Sequence, residues 1–247
     1  MLLRYLSVLG DAPLAFVIVV GAFAFSMLVG LAFHEFMHAF VADRLGDGTP
    51  RRAGRLTLDP RAHLDPVGST LIFFIGFGWA KPVPVNPQNT ANPKSAMAMI
   101  AAAGPLTNLA VAGLAGIPIQ MGWVPALHPF VGTGLVEPLA LFATDSPENL
   151  IGLFLGTVVL LNVLLAMFNF LPLAPLDGFR VAVGLLPREL ARPLAEAERW
   201  GPGVLMLLIF APFLTGGDIN PLFTVLGPPI DFLLDLFAPG INEISFG

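Results

Sequence analysis

The chain has 247 residues, a formal net charge of −5, 55% hydrophobic and 12% charged residues, and a mean hydropathy of +0.80. That is too apolar for an ordinary soluble domain of this length, so the chain reads as a polytopic membrane protein. Neither a basic tail nor a basic patch points to nucleic acid, and the absence of cysteine excludes disulfides and thiolate metal ligands.

The first uncharged run, Ala12 to Phe33, continues as helix through His38 to about Ala42, and Asp43 with Arg44 marks its exit. It is longer than the apolar part of a signal peptide and leads to no cleavage site, so it is expected to stay as a span. Near its end stands His34-Glu35-Phe36-Met37-His38, an H-E-x-x-H pattern. A helix puts residues four apart on one face, so His34 and His38 can share one zinc ion while Glu35 acts on a water held there. Ionisable groups at membrane depth cost a few kcal/mol each on insertion scales, and a bound metal would compensate them.

Val67 to Ala80 is uncharged but too short for the roughly 20 residues of a spanning helix, which predicts a re-entrant segment or hairpin. A second long run begins near Ser95, passes Ala103-Gly104-Pro105 and reaches Ile117, where Pro118 is the expected stop. Asn149 to Leu171 is a third span, with Asn162 and Asn169 near one face. Val204 to Leu214 and Leu222 to Leu236 form a proline-interrupted C-terminal helical pair.

Arg44, Arg51, Arg52, Arg55 and Arg61 follow the first span, Lys81 and Lys94 precede the second, and Arg180, Arg188, Arg192 and Arg199 follow the third, whereas residues 122–148 hold no Lys or Arg. The positive-inside rule places the basic connections in the cytoplasm and residues 122–148 outside. His34 and His38 then lie roughly 8 to 14 Å below the cytoplasmic end of their helix, at 1.5 Å per residue.

A catalytic zinc needs a third protein ligand. Asp177 follows the third span on the same side as His38, and Pro172, Pro175 and Gly178 allow the chain to turn back toward the metal. Asp177 is therefore taken as that ligand, with His63 as the competitor. Among the remaining polar residues, Asn108 and Asn162 read as interhelical packing contacts, and Gly104-Pro105 as a close approach with a kink. His63 and Asp65 read as residues that order the cytoplasmic connection, and His128 as an exposed loop residue.

His34 to His38, Asn169 to Gly178 with its Leu176-Asp177-Gly178 end, and Gly104-Pro105-Leu106-Thr107-Asn108 together resemble the site-2 protease family of intramembrane zinc metalloproteases. Gly54 to Pro60, His63 to Pro66 and Gly78 to Pro87 resemble its small prokaryotic members, those without PDZ or CBS domains, although Asp59 stands where such members often carry Asn. The resemblance covers about Phe33 to Gly178. It implies His34, His38 and Asp177 as zinc ligands, Glu35 as general base, and Asn169 as a residue that positions substrate or stabilises the oxyanion.

The expected protein is thus an all-α membrane domain over residues 1–247, with a catalytic core at about 12–178 and the helical pair at about 200–238. Three core transmembrane helices carry the site. Short extended strands at Arg55 to Leu58 and Val83 to Val85 offer a substrate an edge at the cytoplasmic face. One zinc per chain would serve hydrolysis of membrane proteins within or near a transmembrane segment, in a prokaryotic inner membrane, with the site opening to the cytoplasm. An ion carrier or a zinc-bearing scaffold is the alternative; a carrier has no need of Glu35 beside the first histidine, and the internal repeats of many transporter folds are absent from the sequence.

Overall fold

The computed structural model describes residues 6–75 and 79–243. Its helices are α1 (Pro13–Phe25), continued through a π-helical segment (Ser26–Leu31) into α2 (Ala32–Arg44), α3 (Thr49–Arg52), α4 (Pro60–His63), α5 (Pro66–Ile75), α6 (Pro93–Gln120), α7 (Val136–Thr144), α8 (Pro147–Asn169), α9 (Asp177–Leu185), α10 (Arg188–Glu196), α11 (Gly201–Leu214) and α12 (Pro221–Phe237). Among the described residues, four stretches are long and apolar enough to cross a bilayer: Pro13–Arg44, Pro93–Gln120, Pro147–Asn169 and Arg188–Leu214. The first three match the expected spans. The fourth contains the first member of the expected C-terminal pair and is the one least covered by protein.

A short polar residue followed by proline starts several of these helices. The side chains of Asn92, Ser146 and Asn220 accept the backbone N–H of Ser95, Asn149 and Phe223, while Pro93, Pro147 and Pro221 take first-turn positions where no N–H is needed. α6 runs through Pro118, which leaves the Leu114 carbonyl without its usual helical donor, and ends at Gln120, two residues past the expected stop.

α6 lies at the centre of the bundle, packed against α2, α8 and α9. α12 packs on α6 and α8, burying Leu226, Ile230 and Leu234 beside Ala112, Val159 and Val163. Its C-terminal end meets the C-terminal end of α6: a Cβ on Gly116 would lie 2.1 Å from the Phe237 carbonyl oxygen, and Gln120 donates to that same carbonyl. On the same side the segment before α7 is pressed into α8, whose Gly152 and Gly156 leave no room for a Cβ beneath the Pro125 and Leu127 carbonyls. His128 belongs to this packed segment, half-buried and accepting the Phe130 N–H, which corrects its reading as an exposed residue. Burial pushes its imidazole down to about 4, against the opposing hydrogen bond to the Ile241 backbone.

The connection after α2 is tied by buried charges. Asp47, with no exposed surface, accepts from Thr49, the Asn86 N–H and the Asn89 amide, and Arg55 donates to the carbonyls of Lys81 and Pro82. Arg55, expected to set topology and to begin a strand, is thus a buried clamp. The expected strands at Arg55 to Leu58 and Val83 to Val85 do not form, and among the described residues the only β pairing is an antiparallel bridge between Leu64 and Ala80. The cause is chemical: Pro82 and Pro84 have no N–H to give a partner, and Arg55 already occupies two of the carbonyls. The Leu64 to Ala80 bridge brings the two ends of the α5 segment together, with Gly68 seated against the Trp79 backbone; residues 76–78 of the segment, expected to be re-entrant or a hairpin, lie outside the described residues.

Candidate metal centre

α2 and α6 cross with matched four-residue spacings. The His34 and His38 rings on α2 face Asn108, Gly104 and Ile100 on α6, in reverse order along the chain. His34 Nδ1 lies 2.7 Å from Asn108 Oδ1, and His38 Nδ1 lies 2.7 Å from the Ile100 carbonyl oxygen. A carbonyl only accepts, so His38 carries its proton on Nδ1. The Asn108 amide nitrogen is committed to the Gly30 carbonyl and to Asn162 Oδ1, both at 3.0 Å, so its oxygen faces His34 and that ring also donates from Nδ1.

In the neutral rings the Nε2 lone pairs are then directed inward, where they meet a third acceptor. Asp177 Oδ2 is 3.1 Å from His34 Nε2 and 3.2 Å from His38 Nε2. These groups form the one His/Asp/Glu cluster of metal-binding geometry among the described residues, with ligand atoms within 4.8 Å of one another. Three acceptors pointed at one another are bridged by a cation, either a proton or a metal ion. The separations are close to the roughly 3.3 Å edge of a tetrahedron with zinc–ligand bonds of about 2.0 to 2.1 Å. The donor set fits zinc.

The backbone of α6 completes the cradle. A Cβ on residue 104 would lie 2.5 Å from His38 Nε2 and 2.6 Å from His34 Nε2, so Gly104 leaves open the space the two nitrogens share. Asp177 arrives as the first residue of α9, after the proline-rich turn that follows α8. Gly178 serves by close approach instead of an unusual turn: a Cβ there would come within 2.2 Å of the Phe170 carbonyl oxygen, and its φ is not positive. Lys94 then ties the end of α9 to α6 by donating to the Leu186 carbonyl.

The structure thus brings His34, His38 and Asp177 together. Glu35, next to His34 on α2, is buried with 9% of its surface exposed. His63 is elsewhere, fully buried, with Nε2 2.7 Å from the Thr57 carbonyl. Asn169 closes α8 and donates to the Leu165 carbonyl one turn back. Asn108, read from sequence as a packing residue, touches His34 directly. The signal that could have found it is its spacing of four from Gly104, which puts both on the face of α6 that meets the histidines.

Residues 22–211 match peptidase family M50. YwhC of Bacillus subtilis, which carries the name of a zinc metalloprotease, is 35% identical over 213 residues, covering 86% of this chain and 89% of its own length. Rip2 of Mycolicibacterium smegmatis, named likewise, is 32% identical over 209 residues, covering 82% of this chain and 71% of its own length. Rip2 of Mycobacterium tuberculosis is 30% identical over 208 residues, covering 83% of this chain and 72% of its own. No solved structure matches the chain significantly.

Proposed function

The chain belongs to peptidase family M50, and from that premise we propose that it cleaves membrane proteins within or near a transmembrane segment, with one zinc held by His34, His38 and Asp177. It is a zinc metalloendopeptidase of the site-2 protease type and a multi-pass membrane protein. The observation that carries the ligand set is the convergence of two Nε2 atoms and Asp177 Oδ2 in a cradle that Gly104 leaves open. When bound, zinc supplies a Lewis acid that lowers the pKa of a coordinated water to near 7 and polarises a carbonyl. Glu35 takes the water's proton and returns it to the leaving amine. Asn169, at the end of α8 and eight residues before Asp177, is assigned to positioning of the substrate or of its developing oxyanion.

A peptide bond inside a transmembrane helix is already hydrogen-bonded, so the substrate must unwind before it reaches Glu35. Val83 and Val85 are the residues between Pro82, Pro84 and Asn86 whose N–H groups can pair with an extended chain, on a segment that Arg55 and Asp47 hold in place. The core at 12–178 and the pair at 200–238 form one domain in this reading, supported by the packing of α12 on α6 and α8.

The ligand set is tested by metal content. The purified protein should carry about one zinc per chain. Asp177→Ala should lose most of it, whereas His63→Ala should keep it, because the His63 ring is engaged with Thr57. Retention in Asp177→Ala with loss in His63→Ala would transfer the third position to His63.

The basic connections support a site that opens to the cytoplasm of a prokaryotic inner membrane. A cysteine at exposed Asp145 should react with an impermeant thiol reagent on intact cells, and one at exposed Ala53 only after lysis. Labelling at Ala53 alone in intact cells would invert the orientation.

A further inference from the structure

The two candidate ligands differ in what holds them. His38 is oriented by a backbone carbonyl, that of Ile100, whereas His34 is oriented by a side chain, that of Asn108. Asn108 has no exposed surface, and its oxygen and both of its donors are engaged: the oxygen faces His34, and the amide donates to Gly30 and to Asn162. Asn162 is itself almost fully buried and anchored to the Val158 carbonyl. A relay therefore runs from α8 through α6 to the ring on α2.

The far end of the relay is built around a backbone irregularity. Gly30 sits in the π-helical segment one turn before His34, and a Cβ on it would lie 2.8 Å from Asn162 Oδ1 and 3.4 Å from Asn108 Nδ2. The segment thus supplies both an acceptor for Asn108 and the space its partner needs. Single π-turns are rare and gather at functional sites. A packing contact alone would not require the Asn108 oxygen to be held toward a ring nitrogen while its two donors are locked elsewhere.

We propose that Asn108, held in its rotamer by Asn162 and the Gly30 carbonyl, is a positioning residue that fixes the Nδ1–H form of His34 and strengthens His34 Nε2 as a metal ligand. This rests on the reading of His34 as a zinc ligand. Asn162 acts only through Asn108, so the two residues behave as one unit.

The test is zinc affinity, measured by chelator competition on the purified full-length protein in detergent. The set comprises wild type, Asn108→Ala, Asn162→Ala, the double variant and His34→Ala, each checked for monodispersity and a cooperative melt. Asn108→Ala should bind zinc about 10- to 100-fold more weakly. Asn162→Ala should lose several-fold, and the double variant should match Asn108→Ala instead of the product of the two losses. Cobalt-loaded Asn108→Ala should also show shifted visible ligand-field bands. Wild-type affinity and bands in folded Asn108→Ala would overturn the proposal, as would multiplicative losses in the double variant. If Asn108→Ala does not fold, wild-type zinc affinity in Asn162→Ala overturns it alone. Wild-type affinity in His34→Ala would instead overturn the ligand assignment beneath it.

Discussion

Gly104→Ala is expected to abolish stoichiometric zinc binding and, with it, proteolysis. The added methyl carbon would stand 2.5 and 2.6 Å from the two inward-facing histidine nitrogens, well inside van der Waals contact. Relief would require α6 to withdraw, yet α6 is held by α2, α8 and α9 together, and by the hydrogen bonds that the same two rings donate to the Asn108 Oδ1 and the Ile100 carbonyl. Overpacking of a well-filled site costs about 1 to 3 kcal/mol, or about 5- to 150-fold in an equilibrium constant. Here the methyl also takes the space through which the nitrogens would reach a shared ion, so a loss near the upper end is expected. Gly113→Ala, on the same helix, meets only the edge of Phe237 at 3.4 Å and should bind zinc as wild type does. Metal content and thermal melts of the two variants check this; full zinc occupancy in folded Gly104→Ala would place the metal elsewhere.

The histidine pair was legible in the sequence because helical spacing alone puts His34 and His38 on one face, and Asp177 because two prolines end the preceding span on the same side of the membrane. What surrounds these residues was not legible, for a physical reason. The π-helical segment at Ser26–Leu31 contains no proline or charge to announce it, and an apolar run looks the same whether its hydrogen bonds skip four residues or five. Gly104 was readable as a close-approach residue, but that it approaches two imidazoles is a fact of how α6 crosses α2. Asn108 carried the same ambiguity, since buried asparagines that join helices and those that orient a ligand have identical composition. The short strand at Val83 to Val85 failed for a reason that was present in the sequence, the prolines at 82 and 84, which outweigh the β-branched Val83 and Val85.

Metal binding and catalysis are expected to come apart at Glu35. The side chain is buried one residue from His34, yet it is not among the three converging ligands. A buried carboxylate in an apolar helix is costly to keep, and in this account its return is proton transfer. Glu35→Gln preserves the size of the side chain and the zinc ligands but removes the ability to accept a proton. Asn169→Ala removes no ligand either, and should lower turnover less, with zinc retained.

The central claim is most directly tested by incubating zinc-loaded wild type and Glu35→Gln with a purified single-span membrane protein in detergent or liposomes, while zinc content is measured on the same samples. The account predicts equal zinc in both proteins and cleavage by Glu35→Gln slower by at least about 100-fold, the low end of general-base catalysis. Cleavage at the wild-type rate by a Glu35→Gln protein that holds its zinc would contradict it.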